Sequence, residues 1–189
     1  LVRDDATEIR TRVSEWIESS GIDVIISTGG TGLTGRDVTP EGNFAYDYSL
    51  DDGKGPITVQ VKLQRSERGE PVVKDGERYG YVGDVFMTET QKTRTGTDGD
   101  DKQTRPYRYG EFDVLAVSMQ PSSANWGSYM YTLGRWLLPG KIAGDMATLQ
   151  PVSSASSEFW TDDFEVVARW FRAEDGVKRM VDRRGKPST

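Results

Sequence analysis

The stretch Asp23-Val-Ile-Ile-Ser-Thr-Gly-Gly-Thr-Gly-Leu-Thr-Gly-Arg-Asp-Val-Thr-Pro40 leaves few choices of local structure. Val24, Ile25 and Ile26 are consecutive β-branched residues, the pattern of a short strand covered on both faces. Gly29, Gly30 and Gly32 follow at once; they permit positive φ and put no Cβ between backbone N–H groups and an incoming anion. Thr28, Thr31 and Thr34 add hydroxyl donors to a loop able to wrap a phosphate. Upstream, Asp5 and Glu8 form a capping box for a helix whose apolar stripe is Ile9, Val13, Trp16 and Ile17, with Gly21 at its end. Residues 1–41 are therefore expected to form a helix, a strand and a glycine loop, the loop lying at the strand's carboxyl end, where open α/β sheets bind ligands. The plainer alternative is a strand-to-helix turn in which Asp37 caps a helix and Pro40 sits in its first turn.

The order Thr28-Gly29-Gly30-Thr31-Gly32, then Arg36-Asp37-Val38-Thr39-Pro40-Glu41, resembles the signature of the molybdopterin-binding domain of molybdenum-cofactor biosynthesis proteins. Leu1-Val-Arg-Asp-Asp5, the helix and Asp23-Val-Ile-Ile26 resemble that family's approach to its loop. The resemblance implies that Thr28, Gly29, Gly30, Thr31 and Gly32 hold the phosphate end of molybdopterin. It also implies that Asp37 works with Mg2+ and a nucleotide while the pterin is adenylylated, with molybdopterin and ATP as substrates. It covers about the first forty-one residues. After Glu41 the chain turns to Gly42-Asn-Phe-Ala-Tyr-Asp-Tyr48, so a fragment, a fusion or a composite chain is expected.

Composition narrows the chemistry open to the remainder. With no cysteine and no histidine among 189 residues, disulfides, thiolate metal sites and histidine bases are excluded. Any metal must sit on oxygen ligands and is expected to be Mg2+, Mn2+ or Ca2+. A net charge of −6 argues against non-specific nucleic-acid affinity over the whole surface, while leaving room for a local basic groove. No apolar run reaches the length of a membrane span and no signal-peptide pattern opens the sequence, so no membrane partner and a cytoplasmic location are expected.

From Asn43 the pattern is β-rich. Thr58 to Gln64 alternates, with Val59, Val61 and Leu63 on one face and Gln60, Lys62 and Gln64 on the other. The turn cluster Asp51-Asp-Gly-Lys-Gly-Pro56 predicts a hairpin of 44–50 with 57–64, bringing Asp47 near Gln60 and Lys62. An acidic residue followed at strand distance by Gln-Val-Lys resembles the Asp…Gln-x-Lys core of PD-(D/E)xK nucleases of the Mrr type. In that chemistry Asp47 and oxygens near Gln60 hold a divalent metal on the scissile phosphate, and Lys62 orients the attacking water. The plain alternative is a solvated strand face. Lys92, Arg94, Arg105 and Arg108, interleaved with Tyr107 and Tyr109, form a candidate basic and aromatic rim for phosphates and bases; Asp98, Asp100 and Asp101 could equally neutralise it. Asp113, a carboxylate in the apolar strand 110–117, is a further metal-ligand candidate beside Lys62.

Tyr129 to Leu138 reads as a strand whose aromatics, with Trp126, belong to core packing more readily than to a stacking surface. Thr161 is placed to cap a final helix with Phe164, Val167, Ala168 and Phe171 on one face. A frayed basic tail is expected beyond Gly176. The expected fold is thus α/β: a helix–strand–glycine loop unit over 1–41, a mixed, largely antiparallel sheet with a C-terminal helix over 43–175, and a tail over 176–189. The leading functional expectation is molybdopterin-phosphate binding with adenylyl transfer, the partner being a phosphorylated pterin or nucleotide. The first alternative is a metal-dependent DNA endonuclease of restriction type built by Asp47, Asp113, Gln60 and Lys62. The second is an incomplete, non-catalytic fragment.

Overall fold

The computed structural model describes residues 11, 15, 46–51, 53–92, 106–173 and 178–183. The chain divides into two compact units, Leu1–Asn43 and Phe44–Thr189. In the first, Thr11 and Glu15 are helical, one turn apart. The predicted strand and glycine loop lie outside the described residues.

The second unit is α/β, with a mixed sheet, antiparallel sheets and a C-terminal helix. Strand β1 (Tyr48–Asp51) and β2 (Pro56–Leu63) form the expected hairpin. Its turn is tied by the Asp51 carboxylate, which accepts from the amides of Gly53 and Gly55 at 2.8 and 3.2 Å; both glycines have positive φ. Two short strands, β3 (Ser66–Glu67) and β4 (Glu70–Pro71), pair as a small hairpin. Then come β5 (Val73–Asp75), β6 (Asp84–Glu89), β7 (Val114–Ser118), β8 (Tyr129–Leu133) and β9 (Leu149–Val152).

The main sheet has the order β1-β2-β7-β8, and only β2 and β7 run parallel, Gln60 facing Leu115 and Lys62 facing Val117. Strand β7 is apolar at Val114, Leu115, Ala116 and Val117 and buried at every position, as a strand covered on both faces must be. A second, antiparallel sheet has the order β5-β6-β9.

Each face of the main sheet has its own core. On one, Ile57, Val59, Val114, Ala116 and Leu133 pack with Trp136 and Val167. The cover is the C-terminal helix, Phe164–Arg172, which supplies Val167 and the partly buried Phe164, Ala168 and Phe171. On the other face Leu115, Val117 and Met130 pack with Val85, Met87 and Val152 of the second sheet and with Trp160. The aromatics of the β8 region serve packing as expected. Tyr131 meets Phe164 edge-on at 5.5 Å, and Trp136 lies 5.2 Å from Trp170.

Three local expectations need correction. The helix cap is Asp163, whose side chain accepts from the Glu165 amide at 2.8 Å; Thr161 instead pairs with Tyr131 as a β-bridge and is buried. The strand expected to continue to Leu138 stops at Leu133 and passes into a 3-10 turn, Gly134–Trp136. Gly134 is required there, since a Cβ would lie 2.5 Å from the Phe112 carbonyl oxygen. Residues 178–183 are held rather than frayed: Met180 is 1% exposed and its amide donates to the Trp136 carbonyl, while the Arg183 amide donates to the Arg78 carbonyl.

Candidate functional site

The second face of β2 is polar in sequence yet covered in the fold. Gln60 and Gln64 are 3% and 1% exposed, so the solvated-face alternative does not hold for them. Burial on this scale requires partners. The Gln64 side-chain Oε1 accepts from the Ser122 amide at 2.9 Å, at the short helix Gln120–Ser123. The Gln64 Nε2 finds no partner among the described residues.

One residue pair on, Asp47 and Gln60 meet as the hairpin register predicts. The Asp47 amide donates to the Val59 carbonyl, and Asp47 Oδ2 accepts from the Val61 amide at 2.8 Å and from Gln60 Nε2. Asp47 is thereby locked against β2. Lys62, two residues further along the same face, donates from Nζ to the Gln91 carbonyl at 3.2 Å. Desolvation pulls its pKa below the usual lysine value, against the opposing pull of the Asp47 and Glu89 carboxylates.

The Lys62 ammonium lies 5.2 Å from the centre of the Tyr107 ring, and the Lys92 ammonium lies 5.5 Å from the same ring. Lys92 is salt-bridged to Glu111 at 2.6 Å, and the other Glu111 oxygen accepts from the Arg108 amide at 2.9 Å. Tyr107 is buried, and desolvation, then Asp47 and Glu111, push its phenol upward. Asp47, Gln60, Lys62, Lys92, Tyr107 and Glu111 thus form one constellation drawn from the residue before β1, from β2, from the chain just after β6 and from the loop before β7.

Asp113 does not join it. Its Oδ2 accepts from both the amide and the hydroxyl of Thr58 at 2.8 Å, four residues before Lys62 on β2. Strand geometry separates Thr58 from Lys62 by about 13 Å, so the expected place beside Lys62 is corrected: the carboxylate ties β2 to the start of β7. The rim residues divide as well. Arg108 pairs with Asp145 at 3.6 Å, Tyr109 donates to the Leu137 carbonyl, and Arg94, Arg105 and the acidic residues between them lie outside the described residues. The salt bridge of Glu111 to Lys92 was not anticipated: Glu111 is read from the sequence as part of a strand over 110–117, whereas β7 begins at Val114 and leaves Glu111 in the loop before it.

Among the described residues no group of three or more acidic side chains converges to hold a metal. Where Asp47 and Gln60 meet, the facing atoms are a carboxylate oxygen and an amide N–H donor, so the side-chain oxygen offered there is that of Asp47. Thr28, Gly29, Gly30, Thr31, Gly32 and Asp37 lie outside the described residues.

The N-terminal segment is where similarity to known proteins is found. Residues 1–47 match the family model described as "Probable molybdopterin binding domain". Over 41 residues the chain is 54% identical to molybdenum cofactor biosynthesis protein B of Staphylococcus aureus strain N315, and 46% identical to the protein of the same name from Escherichia coli strain K12. Each alignment covers 22% of this chain and 24% of the relative, so the chain spans about a quarter of the length of the curated relatives it matches. No solved structure matches. The resemblance of the first segment to the molybdopterin-binding domain therefore stands; that of the second unit to restriction nucleases has no counterpart among these relatives. No helix among the described residues is long and apolar enough to cross a membrane.

Proposed function

We infer that the N-terminal segment binds the phosphate end of a molybdopterin. The supporting observation is the match of residues 1–47 to that domain, a span that includes the glycine-rich stretch 28–32, whose composition suits an oxyanion-binding loop. In this reading Thr28, Gly29, Gly30, Thr31 and Gly32 cradle the phosphate, and Asp37 positions Mg2+ and the nucleotide for adenylyl transfer from ATP. Calorimetry with a phosphorylated pterin and with ATP at millimolar Mg2+ tests it. Binding should survive Lys62→Ala and fail with Asp37→Ala; absence of heat with either ligand overturns the reading.

A second reading concerns the second unit and has its own observation: an exposed Asp47 is hydrogen-bonded to the buried Gln60 on β2, with the half-buried Lys62 two residues along the same strand face. A lysine placed there against a desolvation cost has a use if a phosphodiester is its partner. In this reading Asp47 and oxygens near Gln60 would hold a divalent cation, which supplies charge neutralisation at the phosphate. Lys62 would orient the attacking water. Mg2+-dependent nicking of plasmid DNA, lost in Lys62→Ala and kept in Asp37→Ala, is the expected result. Nicking unaffected by Lys62→Ala would exclude this site.

A further inference from the structure

We propose that the cavity beside β6 binds a small organic monoanion with an apolar body, an alkyl or aryl carboxylate, whose head sits between Arg65 and Lys74. The inference is independent of both readings above. The cavity has a volume of about 360 Å3, the size of a small-molecule site. Its floor is apolar: Tyr79, Met87 and Leu138 line it and are 6%, 3% and 3% exposed. Its charged groups do not cancel. Three cations, Arg65, Lys74 and Arg78, line it with two carboxylates, Glu67 and Asp182.

Backbone pairing brings the two seat residues together. The Arg65 amide donates to the Met87 carbonyl at 2.7 Å, and Lys74 is the register partner of Val85. Met87 and Val85 are two residues apart on β6, whose other edge is taken by β9. Arg65 and Lys74 therefore stand along one strand edge with Cα atoms about 7 Å apart, close enough to flank one anion. Both carboxylates are already engaged. Asp182 accepts from two Arg78 nitrogens at 3.2 and 3.3 Å, and Glu67 accepts from Arg65 Nη2 at 2.9 Å. Arg65 keeps its Nε and Nη1 for a ligand, and Lys74 has no hydrogen-bond or ion-pair partner among the described residues. Other carboxylates are turned away. Asp75 and Asp84 face each other one residue beyond Lys74, where the pleat points them to the opposite side of the sheet, and Glu70, opposite Glu67, does not line the cavity. A carboxylate head is thus met by a planar fork on one side and a point charge on the other. Its body removes water from Met87 and Leu138. A purely polar anion leaves that floor wet, and a neutral chain leaves the charge unmet, so the ligand needs both parts.

Calorimetry of the full chain with octanoate, 1-octanol and acetate tests the ligand class. Methyl-13C methionine spectra locate it: of the five methionines Met87 lines the cavity, whereas Met119, Met130, Met146 and Met180 do not, and Met87→Leu assigns the signal. Octanoate should bind about tenfold more tightly than either the alcohol or acetate, and the Met87 methyl should carry the largest shift. Lys74→Gln should weaken octanoate about fivefold and leave octanol unchanged, with Lys74→Arg restoring the difference. Lys74 is exposed, so these variants should fold, which the four other methionine signals verify. Octanol that binds as tightly as octanoate overturns the anion seat, as does octanoate binding unmoved by Lys74→Gln. Octanoate that leaves the Met87 methyl in place, or that does not bind at millimolar concentration, overturns the site. None of these outcomes touches the two readings above, because Asp37, Asp47 and Lys62 do not line this cavity.

Discussion

At the scale of single residues, the polar face of β2 separates side chains that stabilise from those that cost stability. Asp113 stabilises: its carboxylate satisfies both the amide and the hydroxyl of Thr58, joining β2 to the chain entering β7. Asp113→Ala should lower stability by about 2 kcal/mol in urea unfolding, and by the same amount with or without Mg2+, because the role is a hydrogen-bonded tie and not ligation. Lys62 lies on the other side of the ledger. Its pKa is lowered by burial, so the unfolded chain, with a lysine near 10.5, binds more protons than the folded one between the two pKa values. Stability must then rise with pH through that window. Lys62→Met should abolish the rise and add about 1 kcal/mol at neutral pH, as replacing a buried charge by an apolar chain of similar shape does. The difference between the urea midpoints of the two proteins as pH rises from 7 toward 10, in which the tyrosines common to both cancel, decides it. Equal slopes would mean that Lys62 is solvated and the constellation is not desolvated.

Elements show how much of this was legible in the sequence. The hairpin of β1 and β2 was readable because Asp51, Gly53 and Gly55 announce the turn and strict alternation fixes the register that brings Asp47 to Gln60. Burial of Gln60 and Gln64 was not readable: alternation says which residues share a face, and only the docking of a second sheet says that the polar face is covered. That sheet's strands, Val73–Asp75 and Leu149–Val152, are three and four residues long and carry no period of their own. The parallel pairing of β2 with β7 depends equally on partners far apart in the chain, although the unbroken apolar run of β7 signals a strand covered twice. At the C-terminal helix, the cap moved from Thr161 to Asp163 because Thr161 is drawn into a bridge with Tyr131. Asp163→Ala should cost about 1 kcal/mol, and Thr161→Ala should leave helix content unchanged by circular dichroism. Gly134→Ala presses a methyl onto the Phe112 carbonyl and should be worse than either, at about 3 kcal/mol.

For the chain as a whole, the family match over residues 1–47 ends just inside the second unit, which begins at Phe44. Within the second unit, the last described segment is what joins the two sheets' surroundings. Residues 178–183 reach the 3-10 turn after β8 through the Met180 amide and the Trp136 carbonyl. They reach the loop between β5 and β6 through the Arg183 amide and the Asp182 carboxylate, which pairs with Arg78 at 3.2 Å. Met180 itself is buried in the core that includes Tyr79, Met87 and Leu137. A segment of six residues that fills a core position and satisfies two backbone carbonyls contributes more than its surface ion pair, which in a partly exposed setting is worth under about 1 kcal/mol. Met180→Ala should therefore cost about 3 kcal/mol, mostly through the cavity it opens, and Asp182→Asn less than a third of that. Urea unfolding followed by tryptophan fluorescence is well suited to the comparison, because Trp136 and Trp160 are both buried. If Asp182→Asn proved the more damaging of the two, the segment would be held by charge and its attachment would weaken in salt; if Met180→Ala is, as the burial requires, salt should leave it in place.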